Sequence, residues 1–355
     1  MIGIVSHSED LDGIVSGLLL SYYSNIVLGR ITETKFVNYQ ELDATVLELA
    51  PRSDHFYMAD LSQRNEQLSQ AFAHLDPSKV HIYDHHKDSM ATMDLWSDKA
   101  TIHYTFNKQV CAADLVWEHL KPEFDKFLAE QTRMYLDEKE FHAKVGFKGE
   151  TLHRFPGEIR ATIDALEFLV QAAHSRDLWI KDVPEGCLLS DMLDVIGYEA
   201  FFKMLWENPS CGSKENFTPS MERYLIIAQR KLERSKKIAK STSVSESVHK
   251  GFLEIKIIAA LCDSYSSEVG HTFLSEYPYT IVGMIDIDSL QLSFRTNQET
   301  IDILGFGVNE IAKTFGGGGH PVAAGAPMSD MIIKNGPTYF AGFIKDHILS
   351  TERSK

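Results

Sequence analysis

The stretch "VHIYDHH", residues 80–86, is a short, largely apolar run, Val80 to Tyr83, that ends abruptly in Asp84, His85 and His86. Such a run reads as a buried strand. Three ionisable side chains at its end are either a surface turn or half of a metal site, and ligands elsewhere in the chain must decide. Two earlier runs end the same way. "IGIV" (2–5) leads into His7, Glu9, Asp10 and Asp12, and "HFYMA" (55–59) leads into Asp60. Between the three runs lie "GIVSGLLLSYYS" (13–24) and "QRNEQLSQAFAHL" (63–75), both of helical length and composition. The β-α-β-α rhythm predicts an α/β fold with a mainly parallel sheet flanked by helices. In such a sheet the carboxyl ends of the strands gather at one edge, where ligands bind.

Each cluster alone has an ordinary explanation. Asp10-Leu11-Asp12 suits an N-cap or solvated turn, Asp60 suits a cap, and His85-His86 suits chance on a surface. All three falling at strand ends within 90 residues favours convergence. Converging carboxylates and imidazoles would repel one another or lose solvation unless cations compensated them. Mixed oxygen and nitrogen donors suit Mn²⁺, Fe²⁺ or a related divalent ion, and the lack of nearby thiolates argues against structural zinc.

Composition narrows the partners. Hydrophobic residues make up 44% of the 355 and charged residues 24%, ordinary for a soluble chain that forms two domains. No run approaches the roughly 18 apolar residues of a membrane span. The start, "MIGIVSHSEDLDG", lacks the basic and apolar regions of a signal peptide. Cys111, Cys187, Cys211 and Cys262 are scattered, which fits a reducing cytoplasm and neither a disulfide framework nor a zinc knuckle. The net charge of -15 disfavours long nucleic acid, whose binding draws on a broad basic face. A small phosphorylated ligand held by a few local cations remains compatible.

From about residue 109 to 235 the pattern is helical. "MERYLIIAQRKLERSKKIAKSTSVSESV" (221–248) reads as a helical linker between a first domain, 1–220, and a smaller C-terminal α/β domain, 249–355. In the latter, "GFLEIKIIAAL", "YTIVGMIDID" and "LQLSFRTN" read as strands, "SSEVGHTFLSEY" and "GVNEIAKTF" as helices. The glycines of "GGGGH" (316–320) are either a hinge or a backbone surface whose N–H groups approach a phosphate or a base edge. Arg295 could bind a terminal phosphate through paired hydrogen bonds or form a surface ion pair. His320 could bond a phosphate or stack on a base. Trp117, Trp179 and Trp206 read as core or contact residues. His103, His142, His153 and His174 have no spacing that singles them out, and His271 is an outside candidate for ligand contact.

"SHSEDLDG" (6–13), "MADLS" (58–62) and "YDHH" (83–86) resemble the first three motifs of the DHH phosphoesterase superfamily, and "HSRDLW" (174–179) resembles its fourth. "FGGGGHPVAAG" (315–325) resembles the glycine-rich motif of the associated DHHA1 domain, and "LSFRT" (292–296) the strand before it. The likeness runs from residue 3 to about 326, with a weakly matching middle. It implies a centre of two metal ions, usually Mn²⁺, with Mg²⁺ or Co²⁺ as substitutes. His7 and Asp10 would hold one ion, Asp12, His85 and Asp177 the other, and Asp60 would bridge. Glu9 competes with Asp10 for the first ion. His86 would sit beside the scissile phosphate, and Asp84 would orient His85. Arg295, Gly317, Gly318, Gly319 and His320 would bind substrate.

The implied activity is hydrolysis of very short oligoribonucleotides or linear dinucleotides such as pGpG to mononucleotides, by a chain that can pair as a homodimer. Rival readings are a cyclic-dinucleotide phosphodiesterase, a phosphatase for 3′-phosphoadenosine 5′-phosphate, and, outside enzymes, a non-catalytic nucleotide sensor. The sensor reading is disfavoured because every implied ligand position carries a suitable residue.

Overall fold

The computed structural model describes residues 1–61, 70–86, 89, 96–105, 109–145 and 155–353. Most of the expected helix 63–75, together with Ser62, Lys87, Asp88 and His153, lies outside the described residues. The chain forms two compact units, Met1–Leu225 and Ile226–Lys355.

The first unit is built on β1 (Ile2–His7), β2 (Thr32–Val37), β3 (His55–Ala59), β4 (Val80–Asp84) and β5 (Thr101–Tyr104), all parallel, in the order β2-β1-β3-β4-β5. Parallel strands need crossovers and bury both faces. Helix α1 (Leu11–Tyr22) and the helices beyond β5 cover one side. On the other, Val5, Phe56, Met58, Val80 and Ile82 pack with Leu42, Val46 and Trp96. Each buried Ile, Leu or Val of these layers contributes roughly 1.5–3 kcal/mol.

The register places the expected ligands side by side. Ser6 pairs with Ala59 and Ala59 with Tyr83, so His7, Asp60 and Asp84 stand at one level along the carboxyl edge. The strand order reverses between β1 and β3, and a crevice opens outside such a switch point. Gly13 permits the tight β1–α1 turn, since a Cβ there would lie 2.3 Å from the His7 carbonyl oxygen.

Helix α2 (Leu42–Leu49) lies between β2 and β3, and after β5 come α3 (Ala112–Val145), α4 (Pro156–Asp177), α5 (Pro184–Ile196) and α6 (Tyr198–Glu207). Within the stretch expected to be helical, α3 is a single helix of 34 residues running through Pro122. Helix α7 (Pro219–Thr242) occupies most of the expected linker, but its last residues form β6 (Val244–Lys250).

In the second unit a six-stranded sheet runs β10-β11-β9-β8-β7-β6, with β7 (Leu253–Cys262), β8 (Thr280–Asp286), β9 (Gln291–Thr296), β10 (Gly318–His320) and β11 (Ala323–Pro327). Only β7 and β8 pair in parallel. Helix α8 (Ser266–Leu274) packs on β8 and β9. Phe340, Ile344 and Ile348 of α11 (Asp330–Arg353) fill the other face, with α9 (Gln298–Leu304) and α10 (Val308–Lys313) beside them. No helix among the described residues is long and apolar enough to cross a membrane.

Candidate metal centre

Asp60 follows β3 in the left-handed region, φ 56°, a conformation that costs a non-glycine residue on the order of 1 kcal/mol or more and that clusters at functional sites. The carboxylate is 1% exposed, and neither oxygen has a hydrogen-bond donor among the described residues. Oδ2 lies 3.3 Å from His7 Nδ1, and Oδ1 lies 3.5 Å from His85 Nε2. His85 Nε2 is buried and likewise lacks a hydrogen bond. Buried polar atoms without hydrogen-bond partners are costly, and a bound cation is a standard way of satisfying them.

Two donor groups flank Asp60. On one side are His7 and Asp10, with Nδ1 and Oδ2 2.9 Å apart. Asp10 is also the N-cap of α1, its Oδ1 accepting from Gly13 N–H at 2.9 Å, so the ordinary reading of this D-x-D holds alongside the ligand reading. Asp10 stands in the group and the exposed Glu9 does not.

On the other side are Asp12, His85 and Asp177, whose oxygens lie 3.6 and 3.7 Å from His85 Nε2. Asp12 sits in the first turn of α1. Its two oxygens accept the Ala112 and Ala113 N–H groups at 2.7 Å, at the start of α3. Asp177 ends α4 and its side chain is a quarter exposed. Three carboxylates and two imidazoles therefore surround Asp60, a donor set that fits divalent cations taking mixed oxygen and nitrogen ligands.

The charges strain one another. Burial and the Asp60 and Asp177 carboxylates push Asp12 well above the ordinary range. Burial, with Asp60 and Asp10, raises Asp177 to about 6 against the pull of His85. Burial opposes charge on Asp60 too, but His7, His85 and His86 outweigh it and hold this carboxyl well below the usual range. The same pairing outweighs burial at His85, raised to about 10, and raises His7 beside Asp10 and Asp60.

These shifts set a pH dependence. The folded-state pKa of His85 is raised, so its stabilisation is full below about 6.5 and is lost as pH climbs through about 10. Asp177 also binds its proton more tightly when folded, so the metal-free protein loses further stability between about 4 and 6. Divalent ions compete with these protons. The rise in melting temperature on adding Mn²⁺ to chelator-treated protein should be larger at pH 8.5 than at pH 6. An equal or smaller rise at pH 8.5 would count against metal binding by this group.

His86 lies at the rim, its side chain 37% exposed and Nδ1 2.8 Å from Asp84 Oδ1. Asp84 was expected to orient the His85 ring. It instead grips the His86 ring and reaches His85 only through its backbone N–H, at 2.8 Å. The reason is the backbone turn after β4, which lays both N–H groups and the His86 ring around Oδ1, while Ser89 donates to Oδ2. Burial opposes a proton on His86, but Asp84 and Asp60 raise its pKa.

The backbone donors on Asp12 and the Ser89 contact were not visible in sequence. Asp114 accepts from Cys111 N–H at 2.8 Å where α3 begins, next to the Ala112 and Ala113 donors to Asp12. Trp117 is buried, as expected. Trp179 instead lies partly exposed with φ 59°, Lys181 Nζ 3.5 Å from its ring centroid.

The residues expected to bind substrate lie in the second unit. Ala323 pairs with both Arg295 and His320, so those two side chains share a sheet face with Ala323 between them. Arg295 donates to the Phe294 carbonyl at 2.7 Å and to Ser267 Oγ. Gly318, Gly319 and His320 are a strand rather than a hinge. Gly317 enters it so tightly that a Cβ would lie 2.0 Å from the Gly325 carbonyl oxygen.

No family model matches the chain. It is 23% identical over 344 residues to the oligoribonuclease NrnB of Bacillus subtilis, covering 94% of this chain and 74% of that protein. Among solved structures it resembles the pGpG-specific phosphodiesterase PggH from Vibrio cholerae, with a TM-score of 0.52, 15% identity and full coverage of both chains, a likeness of fold. The chain is thus similar in sequence to an oligoribonuclease and in fold to a pGpG-specific phosphodiesterase, and the four motifs that resemble those of DHH phosphoesterases supply the residues gathered at this centre.

Proposed function

We propose that the protein is a divalent-metal-dependent phosphodiesterase that cuts very short oligoribonucleotides and linear dinucleotides, such as pGpG, to mononucleotides. The carrying observation is Asp60, buried, without hydrogen-bond donors among the described residues, and with one oxygen toward each donor group. In this reading His7, Asp10 and Asp60 hold one Mn²⁺ and Asp12, Asp60, His85 and Asp177 a second. Bound ions of this kind lower the pKa of water to generate a nucleophile and neutralise charge on phosphoryl oxygens.

The chain's own residues do the rest. Asp12, fixed by two backbone donors, and Asp60, fixed by its strand end, hold their oxygens in place before substrate arrives. Asp84 holds Nδ1–H of His86, which leaves Nε2 to face a ligand. A protonated His86 can then donate to a phosphoryl oxygen or to the departing ribose oxygen. In the second unit, Arg295 and the strand Gly318–His320 are proposed to bind phosphate and base. The names of the two relatives and the acidic net charge both support a short substrate.

The test is one panel in Mn²⁺: pGpG, pApA, RNA of two to ten nucleotides, cyclic dinucleotides and 3′-phosphoadenosine 5′-phosphate. The expected result is fastest turnover of the dinucleotides and a sharp fall beyond about five nucleotides, as a closed pocket rather than an open groove gives. Preferred cleavage of a cyclic dinucleotide, or tight binding with no turnover of anything, would overturn the proposal.

A further inference from the structure

A second set of nitrogen donors lies on the first unit's sheet, apart from the carboxylate-rich centre. His81 stands on β4, four residues before His85, or roughly 13 Å along the strand. His103, on β5, pairs with Tyr83, and His119 comes from α3. One ring nitrogen of each lies within 4.8 Å of the other two, and all three side chains are partly buried. His81 Nδ1 and His103 Nε2 are 3.1 Å apart.

The contacts behind these rings set their protons. His81 Nε2 lies 3.0 Å from the Ser78 carbonyl oxygen. A carbonyl only accepts, so Nε2 carries the proton and Nδ1 presents its lone pair toward His103. Imidazoles that ligate metals characteristically donate their other nitrogen to such an acceptor. The Tyr83 hydroxyl, 2.6 Å from His119 Nδ1, holds the third ring, and Tyr83 and Tyr57 lie nearly parallel to His103 and His81. Burial, with the neighbouring imidazoles, lowers His81 and His103 to about 4, so proton competition at neutral pH is small.

We propose that His81, His103 and His119 form a second metal site, of the three-imidazole class, that takes Zn²⁺ or Cu²⁺ in preference to Mn²⁺ or Mg²⁺. No carboxylate belongs to the group, and imidazole donors favour these borderline ions over the hard, oxygen-seeking ones. Tetrahedral bonds of about 2.0–2.1 Å place two nitrogens roughly 3.4 Å apart. The His81–His103 nitrogens are within a few tenths of an ångström of that spacing, and because the three ring planes lie within 25° of one another, binding requires the rings to rotate until their in-plane lone pairs converge, with His119 as the third ligand. The competing explanation is a metal-free stack of hydrogen-bonded neutral rings.

The experiment titrates full-length, Mn²⁺-loaded protein with Zn²⁺ and Cu²⁺, following bound metal per chain, retained Mn²⁺ and the Cu²⁺ electron paramagnetic resonance spectrum. One additional equivalent should bind without displacing Mn²⁺, and the spectrum should show three nitrogen donors. His103→Gln and His119→Gln should each weaken that equivalent at least tenfold while keeping the melting temperature, the Mn²⁺ content and Mn²⁺-dependent hydrolysis of a dinucleotide. Absence of the additional equivalent, displacement of Mn²⁺ in its place, or equal binding by wild type and both variants would overturn the proposal.

Discussion

An Asp60→Asn protein is expected to lose hydrolysis of dinucleotides by about three orders of magnitude or more, and to lose bound Mn²⁺ with it. The size follows from what the carboxylate does: its two oxygens face different donor groups, so its removal weakens both ions of the proposed pair, each worth several kcal/mol to the charged transition state. Asparagine is the informative replacement. It tolerates the left-handed conformation that Asp60 adopts, so the turn after β3 should survive. It also retains the shape of the carboxylate while removing half of its capacity to bind cations. Circular dichroism and thermal melting should report an intact fold, and metal analysis after desalting should report the loss. A variant that keeps more than about a tenth of the rate would rule out Asp60 as a bridge.

How far the sequence revealed this site depended on what each residue type signals by itself. The strands β1, β3 and β4 were legible because buried parallel strands are continuous apolar runs, and the polar clusters ended them sharply. Strands β2, "TETKFV", and β6, "VSESVHK", passed unnoticed because they flank their sheets and carry polar residues at half their positions or more. The short β10 was disguised by glycine, which signals turns when read locally. Its pairing with Ala323 to Gly325 depends on partners a local reading does not supply.

Within the site, residue types were visible and contacts were not. His7, Asp10, Asp12, Asp60 and His85 stood out by their place at strand ends, Asp177 was marked only by the resemblance of "HSRDLW" to a known motif, and the structure brings all six together. The grip of Asp12 by Ala112 and Ala113 spans about a hundred residues of chain and involves only backbone donors, which have no sequence signature. The partner of Asp84 turned on ring geometry within three consecutive residues, finer than a motif can specify. The histidines on β4, β5 and α3 looked unremarkable for the opposite reason: their spacing of 22 and 16 residues acquires meaning only once strand register brings them together.

The Asp84 contact leads to the second large effect. Asp84→Asn is expected to lower kcat by about a hundredfold, the scale of a general acid's contribution, with bound Mn²⁺ unchanged. Asparagine Oδ1 can still accept the His85 and His86 backbone N–H groups, so the turn should persist. What disappears is the negative charge that raises the His86 pKa and favours its imidazolium form. The limb of the kcat profile that reports the protonated group should therefore move to lower pH. Had Asp84 served the His85 ring, the same variant would weaken metal binding instead, so metal content separates the two roles. His86→Gln should give a loss at least as large. Because Asp84 acts through His86, the double variant should be no slower than His86→Gln alone. Multiplying losses in the double variant would show that Asp84 acts on the reaction by another route.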